Sequence, residues 1–163
     1  HCLEAALIAC VSLWIQGKRP CLIDLKSITG DDHIIVPYKV GKYYGALSKT
    51  NHATLRFRDP VYLSIRELVL SYFHEYFDLK NGKKILCSYS VPFDMSLRGT
   101  AWITKKECMF DLADEIDASP HIPIVSPNRL ADFRKADVFE RKASKLVEWE
   151  LVDGVPVRNG NLK

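Results

Sequence analysis

The chain has five cysteines and five histidines, yet no CxxC pair and no two histidines at metal-ligand spacing. That removes zinc-finger, thiol–disulfide and histidine-based zinc motifs. The cysteines, at 2, 10, 21, 87 and 108, are odd in number. They do not make a complete disulfide framework, which points to a reduced, cytoplasmic setting. No block of like charge occurs. Lys and Arg total 23 against 20 Asp and Glu, a net charge of +3 spread along the chain, which argues against a nucleic-acid partner. A membrane span is also missing. The one long apolar run, at the N-terminus, is broken by Glu4, Ser12 and Gln16 and falls short of the roughly 20 residues a span needs. No basic segment precedes it, as a signal peptide requires. There is no internal repeat and no low-complexity tract.

What is present is material for one core. At 163 residues with 47% hydrophobic positions, the chain is long enough for a single packed domain. It opens at His1 without an initiator methionine, so it is expected to be a fragment or processed form, truncated at its N-terminus. HCLEAALIACVSLWIQG predicts a helix from Cys2 that stops at Gly17, followed by Lys18-Arg19-Pro20. Its polar residues form one narrow stripe, and a helix apolar almost all round belongs in a core. Three strands follow, over 21–25, 33–39 and 43–48, separated by Thr29-Gly30-Asp31 and Gly41-Lys42. Short turns favour an antiparallel meander. A helix is predicted over 64–77, with Ser64 and Glu67 at capping-box spacing and Ile65, Leu68, Val69, Tyr72 and Tyr76 as its apolar stripe. After the Asn81-Gly82 turn come a strand over 85–91 and a helix from the Thr104/Glu107 pair to Asp117. Ser126-Pro127 then opens a mainly helical, charged stretch to Trp149, and Asp153-Gly154 and Asn159-Gly160 are hairpin-type turns. The order describes an α+β domain: a main body over 1–125 and a helical, turn-rich extension of it over 126–163.

Cys2 is the first candidate for chemistry. The first turn of a helix offers N–H groups without partners and a partial positive charge. Both favour a thiolate and could hold an oxyanion. The alternative is a small apolar residue at a fraying end. A nucleophilic cysteine needs a base. His33 starts a strand beside Asp31-Asp32, with His52 as backup; His74 reads as an exposed helix residue and His121 precedes a proline in an irregular stretch. Ser48 or Asn51 could accept a hydrogen bond from the base, although neither stabilises imidazolium as a carboxylate would. Arg56 and Arg58 share one face of an extended segment, suited to a substrate carboxylate or to salt bridges. Tyr43, Tyr44 and Trp102 suit a cleft or a core.

The run CLEAALIACVSLWIQGKRPCLIDLKS, then DDHIIVPYK, then GKYYGALSK, resembles the transglutaminase-like superfamily of papain-like cysteine enzymes. The following SKTNHATLRFRDPVYLSIRELVLSYFHEYF is similar to a tail of its bacterial members. The motif-bearing part is 1–60. The resemblance implies a buried helix opened by the nucleophile Cys2 and packed on an antiparallel sheet, with His33 as base. Ser48, four residues after Tyr44, stands where the family usually carries aspartate. It also implies cysteine-dependent hydrolysis or acyl transfer on an amide or peptide-like substrate, with no cofactor required. The substitution at Ser48 keeps a second expectation open: a catalytically silent domain of this fold, serving in binding or assembly through a protein partner met by the charged stretch 128–149.

Overall fold

The computed structural model describes residues 2–105 and 109–160; His1, Glu107 and Cys108 lie outside them. Helix α1, Cys2–Ile15, ends as its sequence predicts. Gly17 takes φ 73°, and the Gly17 and Lys18 amides donate to the Trp14 and Leu13 carbonyls, each at 2.9 Å. A residue with a β-carbon would strain there. Strands β1 (Cys21–Ser27), β2 (His33–Val40) and β3 (Tyr43–Leu47) form the expected antiparallel meander. Pro37 is tolerated in β2 because pairing with β1 has ended at Ile35.

β4 (Arg58–Tyr62) adds to the outer edge of β3. Helix α2, Ile65–Phe73, is capped by the Ser64 hydroxyl accepting from the Glu67 amide at 3.1 Å. The Glu67 carboxylate takes the Leu63 amide rather than closing the predicted box on Ser64. α2 also stops short of residue 77, so that Tyr76 turns inward across the end of the sheet. β5 (Leu86–Ser90) pairs with β1 on its other side, the two-residue β6 (Phe93–Asp94) pairs with the start of β1, and β7 (His121–Pro123) pairs with β5. The sheet order is β4-β3-β2-β1-β5-β7, antiparallel throughout.

β1 is buried at almost every position because both of its faces are covered. Ile23 and Leu25 point to one core with Leu68, Val69, Tyr72 and Tyr76 of the α2 region. Leu22 points to the other, with Ala6, Cys10 and Leu13 of α1 and Leu112 and Ile116 of α3, Phe110–Asp117. α3 begins later than predicted, because Thr104 closes a short 3-10 turn, Ala101–Thr104, instead of capping the helix.

The charged stretch before Trp149 is less helical than predicted. It holds a 3-10 turn, Pro127–Asp132, and one short helix, α4 (Val138–Ser144), with a full Asp137/Glu140 capping box. β8 (Trp149–Val152) and β9 (Val155–Arg158) then form a separate hairpin about Asp153-Gly154, whose φ angles of 50° and 79° suit that tight turn. The residues after the expected Asn159-Gly160 turn lie outside those described; the Asn159 side chain donates to the Val147 carbonyl and Glu150 carboxylate. The protein is therefore a mixed α+β chain, an N-terminal helix packed on an antiparallel sheet with further helices after it.

One expectation fails in a way that shapes the site. α1 is not enclosed. Ala6, Cys10 and Leu13 are buried, but Ile8 is 70% and Ile15 83% exposed. The i, i+4 row that carries Glu4, Ser12 and Gln16 also carries Ile8, and the whole row faces outward. No described helix is long and apolar enough to cross a membrane.

Candidate active site

α1 is followed by β1 running back along it, so Cys2 comes to the end of the sheet where β1 finishes and β2 starts. This end is held by Tyr76, whose hydroxyl lies 3.1 Å from the Leu25 carbonyl and 2.6 Å from that of Asp31. Burial first, then the charges of Asp32, Asp24, Cys2 and Asp31, push the Tyr76 phenol above its ordinary value. Cys2 is half-buried, its thiol free, in the first turn of α1. Cys10 is a poor alternative, since burial drives its thiol up to about 12.

His33 is the first residue of β2 and is 4% exposed. Its Nε2 lies 2.8 Å from the Ser48 hydroxyl oxygen. Ser48 has a single proton, and it donates that to the Leu55 carbonyl at 2.6 Å. The Ser48 oxygen must therefore accept from His33, which puts the ring proton on Nε2 and leaves Nδ1 bare. Burial lowers the imidazole to about 4, with the Leu55 carbonyl opposing weakly, so at neutral pH the ring is uncharged. His33 and Ser48 are thus brought together. Cys2 and His33 are not in hydrogen-bond contact. The register pairs His33 with Leu25, and cross-strand partners share a face, so His33 belongs to the α2 side of the sheet while α1 covers the other.

The other candidates have structural work. His52 Nδ1 donates to the Ser144 carbonyl at 2.9 Å, and Asn51 brackets Trp149 through both its side-chain oxygen and nitrogen. Neither reaches His33. Arg56 pairs with Glu148 at 2.7 Å, and Arg58 with Glu75 at 2.8 Å while lying over the Tyr72 ring. Tyr44 packs against the α2 core, whereas Trp102 lines a cleft of about 630 Å³ between α1 and α3 that has Cys2 in its wall.

One pair escaped the sequence reading. Asp24, 3% exposed in β1, faces His121 of β7, with Oδ2 3.2 Å from Nε2. His121 Nδ1 lies 2.6 Å from the Ser119 carbonyl and must donate to it, so one further proton has to lie between Nε2 and the carboxyl. Burial raises Asp24 to about 6 despite that partner. Asp32 and Asp117 place carboxylate oxygens within 4.8 Å of Asp24. Asp32 accepts the Ser27 amide at 2.6 Å and Asp117 is bonded to Lys26. The visible signal was the aspartate in CLIDL, a charge inside a strand buried on both faces.

Asp24 and His33 set opposite pH dependences. His33 falls from 6.5 to about 4 on folding, so its contribution is intact above 6.5 and is lost as pH drops toward 4. Asp24 rises from 3.8 to about 6, so its cost is absent below 3.8 and full above 6. Between pH 4 and 6 the two offset each other. Asp24→Asn leaves only the histidine limb. Urea unfolding of this variant should lose about 2 kcal/mol more than the native chain on going from pH 6.5 to 4.5; parallel curves would mean that Asp24 does not hold its proton in this range.

The sheet thus brings His33 and Ser48 together on its α2 side, whereas Cys2 opens α1 on the other side and is not brought to them. No family model matches this chain, and no curated protein is similar to it.

Proposed function

We propose that the chain is a cysteine-dependent hydrolase or acyltransferase of transglutaminase-like, papain-like type, acting on an amide or peptide-like bond. The observation that carries this reading is the His33–Ser48 contact. It orients a neutral imidazole with its Nδ1 lone pair free, at the sheet end where α1 presents Cys2. Such a ring works as a general base, taking the thiol proton as the sulfur attacks a carbonyl, rather than as half of a preformed ion pair. Backbone N–H groups of the first turn of α1 would receive the oxyanion, and imidazolium would return its proton to the leaving amine. Ser48, being uncharged, offers that imidazolium little stabilisation, so turnover is expected to be slow. With the two side chains on opposite faces of the sheet, closure alone would not join them, and the proton would have to pass round the sheet end through the substrate or a water.

The same gap favours the second reading, a silent domain that binds. The two side chains belong to opposite faces of the sheet, and α1 leaves Ile8 and Ile15 uncovered.

Alkylation of Cys2 by iodoacetamide, followed by peptide mapping across pH 5–10, separates the two. The enzyme reading expects His33→Ala to slow the reaction at pH 7 at least about tenfold, toward the low end of general-base effects. The profiles should converge at high pH, where the thiol ionises unaided. Superimposable profiles would sink it. Mapping is needed because Cys87 is also partly accessible.

A further inference from the structure

The cleft of about 630 Å³ beside Cys2 is of the size that holds small ligands. It follows the outer face of α1 from Cys2 past Leu7 to Val11 and Ser12, and its far wall is Trp102, Met109 and Phe110. At a 1.5 Å rise per residue that course is about 15 Å long. It explains why α1 keeps apolar residues on an uncovered face: Ile8 is 70% and Phe110 74% exposed along it. A solvated helix face would be polar there.

The walls also say what fits. Among the described residues their polar side chains are Glu4, Ser12 and Lys105, and each already has a partner. Ser12 Oγ donates to the Ile8 carbonyl at 2.9 Å, Lys105 pairs with Asp111, and Glu4 is engaged. Beyond its first turn, the α1 wall has its backbone groups tied up in the helix. An extended peptide laid in this cleft would leave its own N–H and C=O groups unmatched, at a cost of kilocalories each. An aliphatic chain has no such groups and gains from every methylene buried.

From the engaged polar groups of its walls and the sulfur at one end, we infer that the cleft takes the aliphatic chain of an acyl group whose carbonyl is presented to Cys2. The substrate class is an amide with a medium-to-long straight-chain acyl part. The carbonyl end of this inference rests on the cysteine reading above; the chain-binding end does not. In the covalent step the Cys2 sulfur forms a thioester bond to the carbonyl carbon, the acyl bond to the leaving group breaks, and the thiol proton passes through the base to that leaving group.

The test uses the whole chain and two readouts. First, N-acetyl-, N-hexanoyl- and N-dodecanoylglycine are titrated calorimetrically into Cys2→Ala, which cannot react. Affinity should rise at least tenfold from acetyl to dodecanoyl. It should fall at least tenfold for dodecanoyl when Ile8→Glu or Phe110→Glu is added; both positions are largely exposed, and circular dichroism checks that the variants fold. Equal affinity across chain lengths, no effect of either glutamate, or equally tight binding of a capped tri-leucine peptide would each overturn the assignment. Second, the native chain is treated with p-nitrophenyl dodecanoate and with p-nitrophenyl acetate, and the acyl adduct on Cys2 is read by mass. Chain-length-dependent binding without an adduct overturns the cysteine reading and upholds the cleft. An adduct formed equally from both esters, without chain-length-dependent binding, does the reverse.

Discussion

Gly82→Ala should cost the fold about 3 kcal/mol or more, the largest stability loss expected from a single methyl group here. Gly82 has φ 76°, where an L-residue is disfavoured by about 1–2 kcal/mol. A β-carbon would also lie 2.4 Å from the Ala136 carbonyl oxygen, and backbone cannot step aside as a flexible side chain can. Relief would break the Ala136 amide's 2.8 Å bond to the Gly82 carbonyl, worth a further 0.5–1.5 kcal/mol or so. That bond helps hold residues 126–144 to the body. Gly30 supplies the control. It shares the backbone conformation at φ 79°, and a methyl group added there would meet nothing within 4 Å, so Gly30→Ala should show the conformational penalty alone. Urea denaturation of the two variants isolates the contact; equal losses would mean that the Ala136 approach does not matter.

The second large effect concerns the base. Ser48→Asp should raise His33 from about 4 by 1–3 units, the usual gain from a carboxylate in contact. Nitrogen-15 NMR titration of the ring reads this directly. Imidazolium would then have a partner to stabilise it, and alkylation of Cys2 at pH 7 should accelerate about tenfold, since each unit is about 1.4 kcal/mol. Ser48→Asn, with similar size and no charge, should leave the histidine low. The aspartate also forfeits the hydroxyl's bond to Leu55, so a loss of about 1–3 kcal/mol in stability accompanies the gain. If His33 still titrates near 4 with aspartate at 48, the ring is not turned toward that residue, and the orienting role of Ser48 is wrong.

The signals that proved legible in the sequence were local ones. Gly17 ending α1, the turns at Gly30 and Gly41, and Ser64 capping α2 each depend on backbone chemistry within a few residues. The pairing of His33 with Ser48 was also accessible, because β2 and β3 are joined by a tight hairpin whose register follows from its turn. Which of Ser48 and Asn51 meets the ring was not, since Asn51 is claimed by Trp149, far along the chain. Asp24 with His121 and Tyr76 with Leu25 were hidden for the same reason, as each joins elements brought together only by the completed sheet. The error over α1 was of another kind. Ile8 sits in the very row of Glu4 and Ser12, so the outward face was readable, but apolar composition outweighed position.

The β8–β9 hairpin is attached without being packed. All eight of its residues are exposed, and its base is fastened by polar contacts: Asn51 to Trp149, Arg56 to Glu148, Asn159 to Val147. It therefore serves as a handle. A dye, an affinity tag or an inserted loop at Asp153-Gly154 would stand clear of both cores, as exposed turn tips tolerate insertion best.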